Sequence, residues 1–294
     1  MLHKIILSIA LVGVVIPAYA QQRGGARQPQ QEATEKMREE AKTAYYANAD
    51  TAQYGVRYRL KYLYNKERNL TFEEDRVVLV SPTVTLDMSY EGIGERRWRI
   101  TNPNAKGGDK TLAYRLTPSY FFYYPDSKKM INTYRIIAEE FKLCETSCDN
   151  VWTQCDEQKK IGDYVCRKAT CQRGGRSWTA WFTNDLPYVA APRMLNGLPG
   201  VVLEAEDSTG EVSWSFNSIV NSIEDDTLFI KFPDKFTDIP AENFERVLRI
   251  VALTDDVQLQ KSGVMNKSQG YYPEKYRPAT GIDACEVTNP IELD

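Results

Sequence analysis

Six cysteines and a near absence of histidine frame the chemistry open to this 294-residue chain. Cys144, Cys148, Cys155, Cys166, Cys171 and Cys285 form an even set, and all but Cys285 fall within residues 144–171. An even count in an exported chain reads first as disulfides, with fifteen pairings open to six cysteines. If Val151 to Glu157 and Asp163 to Gln172 form a hairpin, Cys155 and Cys166 fall near opposite positions, which makes them the first candidate bridge. The rival reading is a thiolate site for a soft metal such as Cu(I), built on Cys144-x-x-x-Cys148 and its neighbours. No Cys-x-x-Cys occurs, and oxidation competes with thiolate metal binding outside the cytoplasm, so disulfides are expected and a metal is not.

The only histidine is His3, inside a segment that reads as an export signal. Ser-His-Asp and Cys-His catalysis, His-ligated zinc and the H-E-x-x-H helix all need an imidazole. Glycine-rich phosphate and dinucleotide loops and the EF-hand spacing are missing too. Glu204 and Glu206 share a strand face as i, i+2 neighbours, and a carboxylate-dependent hydrolase is the enzymatic alternative. A chain with 40 acidic residues holds many such pairs, so these two read as solvated strand residues. No catalytic residue and no cofactor are expected. For binding, the better candidates are Trp178, Trp181, Arg193 and Asn196, where aromatic surface adjoins polar groups.

The elements that must position these residues are strands. Residues 1–20 carry His3 and Lys4, an apolar run from Ile5 to Ile16 and an Ala18-Tyr19-Ala20 cleavage site, so cleavage after Ala20 and a periplasmic or secreted location are expected. The run is too short to span a bilayer and no second one follows. Removing it leaves 36 basic against 40 acidic residues, a balance without the basic excess that tracks nucleic acid.

Residues 21–50 read as a leader, polar and flexible from Gln21 to Gln31 and compatible with a helix from Glu32 to Tyr46. From Tyr54 the period is two: Val56, Tyr58, Leu60, Tyr62 and Tyr64 alternate with Arg57, Arg59 and Lys61. Similar runs follow at Arg76 to Val80, Val84 to Tyr90, Arg96 to Thr101, Thr111 to Tyr124, Met130 to Ile137, Arg176 to Thr183, Val201 to Glu206, Val212 to Val220 and Thr227 to Phe232. Short connections imply antiparallel neighbours. The fold class expected is mainly β: a curved antiparallel sheet or partly open β-barrel meander over residues 51–257, because flat open sheets of this size are rare. Tyr120 to Tyr124, Trp178, Trp181, Trp214 and Phe216 would line its concave side, as core or as a ligand cavity. One C-terminal helix is expected at Pro240 to Ala252, packing on the sheet edge or plugging one mouth. Residues 258–294 read as an irregular tail that Cys285 could tether.

Four pieces of sequence carry a resemblance: Lys160-Ile161-Gly162-Asp163-Tyr164-Val165-Cys166-Arg167-Lys168-Ala169; Gly175-Arg176 with Trp178-Thr179-Ala180-Trp181-Phe182-Thr183; Leu186-Pro187; and Asn196-Gly197-Leu198-Pro199-Gly200-Val201-Val202-Leu203-Glu204. In order and spacing they resemble the GLPGLI family of exported Bacteroidota proteins, most closely over Val151 to Val220. Val201-Val202 replace that family's Leu-Ile, and Ala191-Pro192-Arg193-Met194 stand where it carries Gly-Pro-Trp-Lys. The resemblance implies an accessory role beside a TonB-dependent outer-membrane receptor and no assigned catalysis. A small-molecule or peptide ligand is left open. The Gly197-Leu198-Pro199-Gly200 turn reads as type II, with positive φ at Gly200, setting the register of the strand that follows.

Overall fold

The computed structural model describes residues 27–94, 98, 102, 119–136, 139–221, 228–240, 243, 289 and 291. Two units are distinguished, residues 1–45 and 46–294. In the first, helix α1 (Arg27–Tyr45) begins earlier than its charged stretch alone suggested. Pro29 lies in its first turn, where a missing N–H costs nothing because those donors have no intrahelical acceptor. Lys36 and Glu40, one turn apart, face each other at 3.9 Å.

The second unit is built from β1 (Asp50–Thr51), β2 (Tyr54–Asn65), β3 (Leu70–Val80), β4 (Thr85–Ser89), β5 (Ser119–Tyr124), β6 (Lys129–Ile136), β7 (Glu139–Ser147), β8 (Thr153–Ile161), β9 (Tyr164–Arg173), β10 (Arg176–Thr183), β11 (Val201–Asp207), β12 (Val212–Asn221), β13 (Phe229–Ile230) and β14 (Thr237–Asp238). The mainly antiparallel β class is therefore established. Twelve strands form one sheet in the order β14-β7-β6-β5-β4-β3-β2-β12-β11-β10-β9-β8, while β1 pairs with β13 alone. Every pairing is antiparallel except that of β14 with β7.

The order has a geometric consequence. Ten strand spacings of about 4.8 Å separate β7 from β8 in a flat sheet, roughly 48 Å. Only Cys148 to Trp152 connect these two strands, and such a link spans at most roughly 20 Å. The sheet must therefore curl until its two ends approach, as large twisted sheets do. β7 and β8 do not pair, so the curl is not a closed barrel.

Alternation along the strands sorts the side chains. On β2, Tyr54, Val56, Tyr58, Leu60 and Tyr62 are buried, while Arg59 and Lys61 are exposed. Their face continues through Val78 and Val80 of β3, Trp178, Ala180 and Phe182 of β10, and Trp214 of β12 into one apolar cluster. Trp178 and Trp214 stack tilted at 5.6 Å between centroids. Val77, Leu79, Leu86, Met88 and Phe122 take the opposite face into a second cluster with Leu228 and Ile230. The aromatic run of β5 is thus divided: Phe121 and Tyr123 join a third cluster, whereas Tyr120, Phe122 and Tyr124 pack with the second.

The space within the curl is filled by the loop between β10 and β11. Ala190, Ala191, Leu195 and Leu198 pack into the first cluster, and Val189 and Met194 pack against Phe121, Tyr123 and Met130. Two core tyrosines fasten it, Tyr54 Oη donating to the Pro187 carbonyl at 2.6 Å and Tyr58 Oη to the Val202 carbonyl at 2.5 Å. The helix expected at 240–252, the run at 96–101, residues 111–118 of the run expected at 111–124 and the signal segment lie outside the described residues, with only isolated positions such as Trp98 and Asn243 among them. The tail held a different surprise. Cys285 lies outside the described residues; the described tail residues are held by Arg176, which donates to the Ile291 carbonyl at 2.9 Å and to Asn289 Oδ1 at 2.7 Å.

Candidate binding site

Three charged residues sit on the buried face of β3 and β4. Glu74, Arg76 and Asp87 are 6%, 1% and 2% exposed, although charged side chains are almost never so buried unless paired. Arg76 Nε donates to Asp87 Oδ1 at 2.7 Å, Nη1 to Glu74 Oε2 at 3.0 Å, and Nη2 to the Ser119 carbonyl at 3.2 Å. Burial alone pulls the guanidinium pKa down, but the carboxylates of Asp87 and Glu74 outweigh it and hold Arg76 charged above its ordinary range.

The second oxygen of Asp87 reaches the loop between β10 and β11. Asp87 Oδ2 accepts the backbone N–H of Arg193 at 2.7 Å, and Asn196 Nδ2 donates to the Arg193 carbonyl at 3.0 Å. Arg193 has φ of 47°, the left-handed region that a residue with a Cβ enters at a cost of roughly 1–2 kcal/mol. Its backbone is thus held on both sides by buried polar side chains. The guanidinium projects over the Phe121 ring, 4.4 Å from the centroid, and the residue is half-buried. Strain over-determined by its surroundings is a mark of positions that do a task.

Around this point lie polar atoms without partners. The Oγ of Ser89 and of Ser119 and the Oδ1 of Asn132 are buried and have no hydrogen-bond partner among the described residues. Ser89 is opposite Arg76, and Asn132 is opposite Phe121, in the ladders. Ser119 lies two residues from Phe121 on β5 and so shares its face. Buried polar atoms cost free energy unless satisfied, and the register places these three on the same face as Asp87 and Phe121.

The four residues expected to bind do not form one patch. Trp178 and Trp181 lie three residues apart on β10 and point to opposite faces. Trp178 is 4% exposed and spends its indole N–H on the Arg173 carbonyl at 2.9 Å, so it is core. Trp181 is covered by Lys159 Nζ, 4.4 Å from the ring centroid, and that lysine pairs with Glu204. Glu204 is therefore committed to an ion pair. Arg193 and Asn196 are brought together by the Asn196 Nδ2 bond to the Arg193 carbonyl. Glu74, Arg76 and Asp87 were missed, although Glu74 and Arg76 occupy the same alternation phase as Val78 and Val80, a visible break in an apolar face.

The motif turn is corrected in detail. Gly200 is not in the left-handed region; Gly197 is, with φ of 110°. Gly200 is required by proximity instead, since a Cβ there would meet the Thr183 carbonyl oxygen at 2.2 Å. Leu198 is buried while Gly197 and Pro199 are exposed. The far side of the loop is fixed by Asn150 Nδ2 and Trp152 Nε1, which donate to the Asn196 carbonyl at 2.8 and 3.1 Å.

The cysteine expectation also changes. Among the described side chains Cys148, Cys155, Cys166 and Cys171 are free thiols, whereas those of Cys144 and Cys285 lie outside them. Cys166 stands opposite Lys159, and Cys155 falls in an irregularity between Gln154 and Gln158 that shifts it out of register with Cys166. Burial pushes the Cys166 thiol up to about 11, with the Glu204 carboxylate adding to it, and the Cys171 thiol up to about 12. The thiols are thereby kept protonated at neutral pH. Among the described residues no three His, Cys, Asp or Glu side chains are grouped to hold a metal ion, and no helix is long and apolar enough to cross a membrane.

No family model and no curated protein matches the chain. Two solved structures of PNGF-II, in the C2 and P21 space groups, align with TM-scores of 0.44 at 16% identity, over 66% of this chain and 32% of theirs. The chain spans about a third of the length of these proteins.

Proposed function

We infer that this chain is an exported, non-enzymatic binding or accessory module of the bacterial envelope, working with an outer-membrane receptor of the TonB-dependent class or with that receptor's ligand. The observation that carries the reading is Arg193. A half-buried cation is held in a costly backbone conformation by Asp87 and Asn196 and set over Phe121, whose face carries three buried polar atoms with no partner among the described residues. Recognition benefits from such preorganisation because the ordering cost is met before the partner arrives. Both oxygens of Asp87 are occupied, by Arg76 and by Arg193, which suits a supporting role better than that of a free catalytic base.

The test is affinity capture of the tagged protein from its native envelope, with Arg193→Gly as the comparison. Glycine tolerates the left-handed backbone and removes the whole side chain with its guanidinium. A receptor recovered in stoichiometric amount with the wild type and lost with Arg193→Gly is the expected result. Equal recovery with both proteins, or turnover abolished by mutating a cleft carboxylate, overturns the reading.

A further inference from the structure

The long sheet ends in a free edge. β8 is the last strand in the order and pairs only with β9. Thr153, Gln154, Asp156, Glu157, Gln158 and Lys160 are exposed, and among the described residues no strand pairs with its outer side. The opposite end is closed by the two-residue β14. An edge nine residues long offers a row of backbone donors and acceptors to any strand that can lie beside it. Between Gln154 and Gln158 the ladder to β9 is interrupted, so Cys155, Asp156 and Glu157 have no partner residue there.

Charged residues on an edge usually repel other strands. Here their order does the opposite for one partner. The run Asp156-Glu157-Gln158-Lys159-Lys160 is complementary to itself when two copies lie antiparallel about Gln158. In that register Asp156 faces Lys160 of the second copy, Glu157 faces its Lys159, and both pairs repeat by symmetry. Shifting the register by one position leaves only two ion pairs and places lysine against glutamine or cysteine, or glutamate against glutamine. Centring on Glu157 or on Lys159 sets a charge against itself, which is destabilising for directly opposed residues. One register is thus selected.

The charges already on this side of the sheet extend the pattern. Lys159 pairs with Glu204, and Glu157 with Lys168 at 2.8 Å. Across the junction these form a row of alternating sign: Glu204, Lys159, then Glu157 and Lys168 of the second copy. We propose that the protein self-associates through β8, two copies joining edge to edge in antiparallel register about Gln158 to form one continuous sheet. A closed two-fold pairing of this kind uses up both edges and does not propagate into a fibre. A single strand pair buries little surface, so the dimer is weak and its formation depends on concentration.

Sedimentation equilibrium of the purified protein from micromolar to millimolar concentration, at low and high salt, measures this directly. A reversible dimer that weakens with salt is expected. Asp156→Lys and Lys160→Glu provide the decisive arms. Both side chains are exposed, and neither joins an ion pair among the described residues, so the fold is not at stake. Each substitution alone turns two attractive pairs repulsive and should weaken the dimer about tenfold or more. Mixing the two variants makes all the cross-strand pairs opposite in sign again and should restore association to near the wild-type level. A wild type that stays monomeric throughout, or a mixture that associates no better than either variant alone, overturns the proposal.

Discussion

Replacing Asp87 by alanine tests how the curled sheet and the motif loop are joined. The carboxylate is 2% exposed and bonds Arg76 through one oxygen and the Arg193 N–H through the other. Its removal leaves the buried guanidinium with Glu74 and the Ser119 carbonyl, and leaves a loop amide without its acceptor. Breaking a buried ion pair from one side costs about 3–5 kcal/mol, because the remaining charge is poorly compensated. The orphaned amide falls within that range rather than adding fully to it, since losses in one network are not additive. For a domain of this size each kcal/mol moves the melting temperature by about 2–4 °C, giving a drop of roughly 6–20 °C. Guanidinium unfolding followed by tryptophan fluorescence gives the free energy, because Trp178 and Trp214 report from the core. The decisive measurement is the cycle with Arg76→Met. The double variant should be more stable than the sum of the single losses predicts by at least about 1 kcal/mol, since the uncompensated cation is gone. A loss under about 1 kcal/mol for Asp87→Ala, or a cycle additive to within about 0.5 kcal/mol, would refute the coupling argued here.

Three further outcomes are expected. Gly200→Ala should be among the most damaging small substitutions in the chain, because its Cβ would stand 2.2 Å from the Thr183 oxygen and 2.6 Å from Asn184 Oδ1; thermal melting decides, and a wild-type melting temperature would mean the loop has room. Glu211 is held at about 2, below its ordinary 4.5, because the hydrogen bonds from Lys66, Arg176 and Asn289 outweigh burial. A depressed carboxylate contributes stability above its unfolded value that is lost as pH falls through its folded value, so the Asn289 and Ile291 tether should loosen between about pH 4.5 and pH 2, read by amide exchange at the chain end, and Glu211→Gln should flatten that dependence. Of the four described thiols, Cys155 is half-buried whereas Cys148, Cys166 and Cys171 are buried. Maleimide labelling without reductant, mapped by mass spectrometry, should therefore modify Cys155 first and the other three only on unfolding; failure of all four to react in denaturant would show them oxidised.

Alternation along the chain made the class of fold legible. A strand's two-residue period is a property of the local backbone, so Val56, Tyr58 and Leu60 on one side and Arg57, Arg59 and Lys61 on the other announce a half-wet strand without knowledge of its neighbours. The same pattern located β2, β3, β4, β6, β10, β11 and β12. It did not single out β7, whose charges blur the period, and it made a main-sheet strand of residues 227–232, where Phe229–Ile230 pair only with β1. Nor could spacing pair the cysteines, since an irregularity in β8 moves every later register.

Within the candidate site, sequence supplied Arg193 and Asn196 but grouped them with tryptophans that the sheet sends elsewhere. Three residues along β10 are enough to put Trp178 and Trp181 on opposite faces, a fact available from the period alone once the strand is granted. The partnership of Arg76 with Asp87 was not available. Those residues are eleven apart in the chain, and Arg193 is a further 106 from Asp87. What sequence determined was which side chains could share a face; what tertiary structure decided was which faces meet, because strand order, register and the curl imposed by the short β7 to β8 link are set by contacts between segments distant in sequence, where local periodicity carries no information.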